Sequence, residues 1–197
     1  QQIVVVGSGL MGRGIAFVGA VGGYAVTVVD INESALQNAK KEINHIIKKG
    51  LSLGKISSEK AEQAQLNLSF ESDLSKAAEK ADLIIEAVPE QIAIKKQVFE
   101  TIEQFAPAHC YFATNTSTMS PTEIASFAKR PEKTIAMHFF NPVHKMPLVE
   151  IVRGLETSDE TAETIREVAV NMGKETVVIK EFPGFITSRI SALVGNE

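Results

Sequence analysis

The sequence predicts a doubly wound α/β fold with a mostly parallel sheet, and three observations predict it. Short apolar, β-branched runs alternate with amphipathic stretches along all 197 residues. The first such run ends in a glycine-spaced turn that opens a helix. Finally, 44% hydrophobic and 22% charged residues belong to a folded globular chain, not to a disordered or coiled-coil one.

Taken in order, Ile3–Val6 is a continuous apolar run of the kind buried on both faces of a parallel sheet. Leu10–Val21 follows as a helix, and Ala25–Val29 repeats the strand pattern up to Asp30, closing one β-α-β unit. From Glu33 to about Gln65 the pattern is helical and charged. Leu36, Ala39, Ile43, Ile46 and Ile47 share one side, Gly50 and Gly54 read as breaks, and a second helix opens at Ser57 or Ser58. Residues 33–65 are therefore expected to form an inserted helical hairpin. Strands are then expected at Leu66–Phe70, Leu83–Val88, Tyr111–Thr114 and Thr134–His138, with helices at Asp73–Lys80, Ile92–Phe105 and Pro121–Ala128. Strands at Leu148–Val152 and Glu175–Ile179 flank a last helix at Ser158–Met172.

Residues 1–182 thus read as one α/β domain. Gln1 and Gln2 enter a strand with no initiator Met, which reads as a trimmed start. Ile186, Ile190, Leu193 and Val194 fall on one helical face, so residues 183–197 are expected to be the truncated start of an all-α C-terminal domain.

A net charge of -4 argues against a duplex nucleic-acid partner, which calls for a basic face to replace phosphate counterions. Small molecules are the expected partners. One cysteine, Cys110, allows no intramolecular disulfide and suits a reducing compartment. No apolar run reaches the length of a membrane span, so no membrane association is expected, and the expected location is the cytoplasm, or an organelle matrix in a eukaryote.

Gly7, Gly9 and Gly12 in GSGLMG have the G-x-G-x-x-G spacing at the junction of the first strand and first helix. Gly7 allows the tight turn, Gly9 lets a pyrophosphate approach the backbone, and Gly12 lets helix and strand pack closely. The helix start, with Leu10 and Met11, offers free N–H groups and the positive end of its dipole to phosphate. Glycine spacing alone is weak evidence, since glycines also mark ordinary turns. Asp30 at the end of the second strand strengthens it, because an acid there accepts from ribose hydroxyls and repels the extra phosphate of NADP. The fold is therefore expected to be of Rossmann type, with NAD as cofactor.

The stretch 138–150 reads HFFNPVHKMPLVE. His138 closes one expected strand and Glu150 lies on the returning one, so the two can end side by side. A carboxylate beside an imidazole fixes its tautomer and suits a general base for an alcohol proton. The alternative is a satisfied core histidine and a solvated glutamate.

GSGLMGRGIA, EAVPE, TNTS, HFFNPVHKMPLVE and PGFITSR, in that order, resemble the L-3-hydroxyacyl-CoA dehydrogenase family over essentially the whole chain. The resemblance implies His138 as catalytic base, Glu150 as its partner, and Ser117 as a hydrogen-bond donor to the reacting hydroxyl. It places Glu90, Lys95, Asn115 and Asn141 near the nicotinamide ribose and amide. The implied reaction is oxidation of a 3-hydroxyacyl-CoA to the 3-ketoacyl-CoA by NAD, without a metal, in fatty-acid β-oxidation or butanoate metabolism. It also implies a homodimeric parent that associates through the missing helical domain. Each residue keeps a plainer alternative: Ser117 a helix cap, Glu90 a helix-dipole partner, Lys95 a solvated charge, Asn115 and Asn141 local turn residues.

One position departs from the family. Ser188 stands where PGF is usually followed by an Asn that polarises the substrate carbonyl, and serine offers one donor instead of two. The hairpin is rich in lysine; Lys48, Lys49 and Lys55 are candidates for the phosphates of coenzyme A, against the alternative of a solvated face. His45, His109 and His144 carry no expected role. Two other readings of the whole remain: a dehydrogenase of a free hydroxy or sugar acid, and a non-catalytic NAD-binding relative.

Overall fold

The computed structural model describes residues 1–187 and Ile190. In chain order the elements are β1 (Gln2–Val6), α1 (Leu10–Val21), β2 (Ala25–Val29), α2 (Glu33–Ser52), α3 (Ser58–Leu66), β3 (Leu68–Glu71), α4 (Leu74–Ala78), β4 (Leu83–Glu86) and α5 (Ile92–Phe105). They continue with β5 (Tyr111–Thr114), α6 (Pro121–Ala125), a 3-10 turn (Pro131–Lys133), β6 (Thr134–Phe139), β7 (Leu148–Arg153), α7 (Asp159–Asn171) and β8 (Glu175–Lys180).

The eight strands form one sheet in the order β3-β2-β1-β4-β5-β6-β7-β8. Strands β3 to β6 of that row run parallel, β7 is antiparallel to β6, and β8 is parallel to β7. The chain winds from β1 to one edge, then restarts at β4 on the other side of β1. The crevice between the carboxyl ends of β1 and β4 is therefore the switch point at which such sheets bind ligands.

The apolar runs are explained by burial on both faces. Ile3 and Val5 of β1 pack into one core with α1, the hairpin and α7, while Val4 and Val6 pack into the other with α4 and α5. Leu36, Ala39, Ile43 and Ile47 bury the inner stripe of α2 against the first of these cores. Asn32 caps α2 by accepting from the backbone of Ser34 and Ala35, and Ser57 caps α3 by accepting from Lys60 N.

Several boundaries differ from expectation. Gly50 does not break α2: it lies within the helix, where an added Cβ would sit 3.3 Å from Ile56, so the missing side chain is what lets the hairpin's second limb pack. Gly54, at φ +66°, makes the turn. β3 begins at Leu68 because α3 runs to Leu66 and Asn67 caps it, its amide donating to Ala20 O. β4 stops at Glu86, since Val88 N turns back onto the Glu86 carboxylate. α4 and α6 are single short turns, ending at Ala78 and Ala125.

Of the expected C-terminal stripe, Ile186 and Ile190 are exposed, while Leu193, Val194 and also Ser188 lie outside the described residues. No helix among the described residues is long and apolar enough to cross a membrane.

Cys110 is fully buried beside β5, and burial pushes its thiol up to about 12 from 9.0. The thiolate is the reactive form. At pH 8 iodoacetamide should therefore alkylate the folded chain slower than the urea-unfolded chain by about a hundredfold or more. A raised thiol also contributes stability that is complete below the unfolded value of 9.0 and is lost as pH climbs toward about 12. Equal labelling of folded and unfolded protein would contradict this burial.

Candidate active site

At the switch point the β1–α1 turn is closed by two glycines. Gly7 sits at φ +100°, and a Cβ there would lie 2.6 Å from Ala87 O. One on Gly12 would lie 1.8 Å from Gly7 O. Gly9 differs, because none of the described residues comes within 4 Å of its Cβ position. It is the N-cap of α1, offers no side-chain cap, and no acid occupies the first turn, where Leu10 is exposed and Met11 half-buried. The first N–H groups of α1 thus point, with the positive end of the helix dipole, toward open space that a pyrophosphate fits.

Asp30 closes the other side of this loop. Its Oδ2 accepts from Ser8 N at 2.9 Å and Ser8 Oγ at 2.7 Å, and its Oδ1 accepts from Asn32 N at 3.0 Å. Partial burial alone would raise the carboxyl, but these bonds outweigh it and hold Asp30 below the ordinary carboxylate range. The anion that a ribose diol needs is present.

Glu86, Thr114 and Ala136 lie side by side across β4, β5 and β6, and the residues beyond them form the far wall of the crevice. Lys95 of α5 is 1% exposed, and its Nζ donates to Glu86 Oε1 at 2.8 Å and Oε2 at 2.9 Å and pairs with Glu90 Oε2 at 3.0 Å. It is not a solvated charge. Glu90 Oε1 in turn accepts from Thr116 Oγ1, from Ser117 N at 3.1 Å and from Thr118 Oγ1 at 3.2 Å, so the carboxylate binds the β5–α6 loop instead of starting α5. Burial pushes Glu90 up, yet Thr116, Lys95 and Ser117 N hold it below the usual range. Asn115 Oδ1 accepts from Phe139 N, which ties this loop to β6, and Ser117 is exposed. Ser117 is not a helix cap; Ser120 caps α6.

His138 and Glu150 are directly opposed in the antiparallel β6–β7 pair. His138 Nδ1 lies 2.7 Å from Glu150 Oε2, and both side chains are buried. Glu150 Oε2 also accepts from Thr187 Oγ1 at 3.1 Å, and Oε1 accepts from Ile186 N at 3.2 Å and Thr187 N at 3.0 Å. With about four lone-pair sites on a carboxylate, all are used, and a carboxylate can only accept. The proton of neutral His138 therefore sits on Nδ1, leaving Nε2 with its lone pair. The rings of Phe140 and Phe185 pack on the imidazole at 4.5 and 5.5 Å between centroids.

A glycine loop after β1 and a histidine–carboxylate pair on β6 and β7 thus belong to one sheet. The family profile described as "3-hydroxyacyl-CoA dehydrogenase, NAD binding domain" matches residues 2–182. The chain belongs to the 3-hydroxyacyl-CoA dehydrogenase family. It is 39% identical over 197 residues to the "Probable 3-hydroxybutyryl-CoA dehydrogenase" of Bacillus subtilis, covering all of this chain and 68% of that protein. It is 41% identical over 186 residues to the "Fatty acid oxidation complex subunit alpha" of Idiomarina loihiensis, covering 94% of this chain and 26% of that protein. The solved 3-hydroxybutyryl-CoA dehydrogenase of Escherichia coli superposes with a TM-score of 0.93 at 38% identity, over 97% of this chain and 40% of that one. NAD is the cofactor of this domain, and Gly7, Gly9, Gly12 and Asp30 fit it.

In this 3-hydroxyacyl-CoA dehydrogenase domain three groups escaped sequence reasoning. Glu86 is the buried anchor of Lys95; an acid ending the apolar run LIIE was its signal. Lys174 is buried and donates to Val143 O and, at 2.9 Å, to Met146 O, clamping the loop between His138 and Glu150. Gly14 makes room for that loop, since a Cβ there would meet Val143 Cβ at 2.8 Å. Asn141 is exposed in the same loop and precedes a cis proline. His109 is an exposed partner of Asp82, and His45 is exposed.

Lys48 and Lys49 on α2 and Lys55 in the turn after it are exposed. Lys49 and Lys55 line a cleft of about 240 Å³ between the hairpin, α1 and the end of α7, which Lys145, Lys174 and His144 also line. Burial, then Lys145, Lys174, Lys55 and Lys49, depress the basicity of His144, which reports a positive potential in this cleft.

Proposed function

We propose that this domain serves the NAD-dependent oxidation of an (S)-3-hydroxyacyl-CoA to the 3-ketoacyl-CoA. The observation that carries the reading is the buried His138–Glu150 pair, on the same sheet as the glycine loop. Bound NAD supplies the two-electron acceptor. His138 Nε2 accepts the proton of the substrate hydroxyl, and the Glu150 carboxylate stabilises the imidazolium that forms. Ser117, exposed on the β5–α6 loop, is suited to hold the reacting oxygen, and Asn115 and Asn141, on the loops that follow β5 and β6, are suited to contact the nicotinamide end. The Phe140 and Phe185 rings keep water from the imidazole faces.

The CoA ester, in preference to a free hydroxy acid, is supported by the lysine-lined cleft, where Lys49 and Lys55 form a point-charge surface for phosphates. The test is NADH formation in the full-length protein from 3-hydroxybutyryl-CoA and from free 3-hydroxybutyrate. Turnover of the ester only is expected. Lys49→Glu with Lys55→Glu should raise KM for the ester by roughly tenfold and leave kcat within about twofold. Equal use of the free acid, with KM unmoved by charge reversal, would assign the site to an acid without coenzyme A.

A further inference from the structure

Lys95 faces two carboxylates, not one. Glu86 is wholly buried and takes four hydrogen bonds, two from Lys95 Nζ, one from Val88 N at 2.8 Å and one from Thr114 Oγ1 at 2.6 Å. Glu90 takes four more, from Lys95, Thr116, Ser117 and Thr118. One ammonium between two carboxylates leaves one negative charge in excess. That charge cannot be shed without breaking bonds made to ionised oxygens, and the same bonds hold Glu90 ionised against its partial burial.

The triad lies at the carboxyl ends of β4 and β5, in the half of the sheet beyond the switch point. A doubly wound sheet is built of two mononucleotide halves; the glycine loop and Asp30 take the adenosine half, so this half takes the nicotinamide nucleoside. The two oxidation states of the cofactor differ there by a unit charge, since the nicotinamide ring is cationic in NAD+ and neutral in NADH. Every contact to adenosine, ribose and pyrophosphate is common to both and cancels in the ratio of their affinities.

We propose that Glu86, Lys95 and Glu90 set the redox-state preference of the cofactor site, the excess negative charge of this triad favouring NAD+ over NADH. Lys95 is then a positioning residue, its Nζ bonded to both acids and holding them together at the carboxyl end of β4. The proposal concerns cofactor binding alone and stands whatever the substrate.

The experiment measures Kd for NADH by its fluorescence and Kd for NAD+ by competition, on the chain as it stands. Glu86→Gln neutralises the excess charge and should raise the ratio Kd(NAD+)/Kd(NADH) by about tenfold, as expected for a unit charge within several ångströms at an effective dielectric of about 20. The double variant Glu86→Gln, Lys95→Met leaves Glu90 as a lone carboxylate, restores the excess charge, and should return the ratio to within about threefold of the original. Glu90→Gln, on an exposed side chain, should move the ratio in the same direction as Glu86→Gln and serves if the buried substitution prevents folding. A ratio unmoved in folded Glu86→Gln and Glu90→Gln proteins, or one that stays displaced in the double variant, would overturn the proposal.

Discussion

Replacing His138 by alanine should lower kcat for a 3-hydroxyacyl-CoA by about a thousandfold while leaving Kd for NADH within about twofold. The separation follows from where the ring sits. His138 is on β6, its Nδ1 bonded to Glu150, and the glycine loop and Asp30, proposed here to hold the cofactor, are on the far side of β4 and β5. Removing the imidazole removes the acceptor of the hydroxyl proton and no contact of the pyrophosphate. Glu150→Gln should be nearly as damaging to kcat, roughly a hundredfold or more, for a different reason. The amide carries no charge to stabilise the imidazolium, and its NH2 must face one of the donors that now surround the carboxylate: His138 Nδ1 and Thr187 Oγ1 on one oxygen, or the N–H groups of Ile186 and Thr187 on the other. A buried clash of that kind costs about 1–3 kcal/mol of stability. Initial rates at saturating ester, read beside urea midpoints, distinguish the two variants. His138→Ala protein that kept more than a tenth of its kcat would remove His138 from the chemistry.

The parts of the fold legible in the sequence are those where one physical demand dominates. Ile3–Val6 must be apolar at every position because alternate residues enter two different cores, and its short length, β-branched residues and closing glycine separate it from a buried helix. The opposition of His138 and Glu150 was legible because a loop of modest length between two strands leaves antiparallel pairing as the compact solution. What the sequence hid depends on contacts remote in the chain. Gly50 reads as a helix breaker until Ile56 is seen packed on it. Leu66 and Asn67 look like the start of a strand, but Asn67 finds Ala20 O, forty-seven residues away, and ends a helix instead. Lys95 has the sequence neighbourhood of a surface charge, and only the carboxyl ends of β4 and the start of α5 together supply the two acids that bury it. Lys174 is likewise ordinary by position, and its role emerges only when the Val143 and Met146 carbonyls converge on it.

Two alanine substitutions three residues apart, at Gly9 and Gly12, should fail in opposite ways. Gly12→Ala should destabilise the domain by about 3 kcal/mol or more, because the new Cβ would lie 1.8 Å from Gly7 O and 2.9 Å from Gly7 C. Both obstacles are backbone, so no rotamer change relieves them. Gly7 cannot retreat, since it already approaches Ala87 and is held at φ +100° with its N–H donating to Val29 O at 2.7 Å. α1 must therefore lift from β1, and Gly14 would then leave Val143 and loosen the loop that carries Asn141. Gly9→Ala meets no such obstacle: its backbone is at φ -66° and none of the described residues comes within 4 Å of the added atom. Its stability should change by no more than about 0.5 kcal/mol. Yet that open space is where the α1 N–H groups point, and a methyl there holds the pyrophosphate off, so NADH affinity should fall by about a hundredfold. Urea midpoints and NADH titrations of the two variants decide the matter. Wild-type NADH affinity in Gly9→Ala would mean that the cofactor does not lie across this loop, and a Gly12→Ala protein as stable as the original would mean that α1 is not pressed against the β1 turn as described.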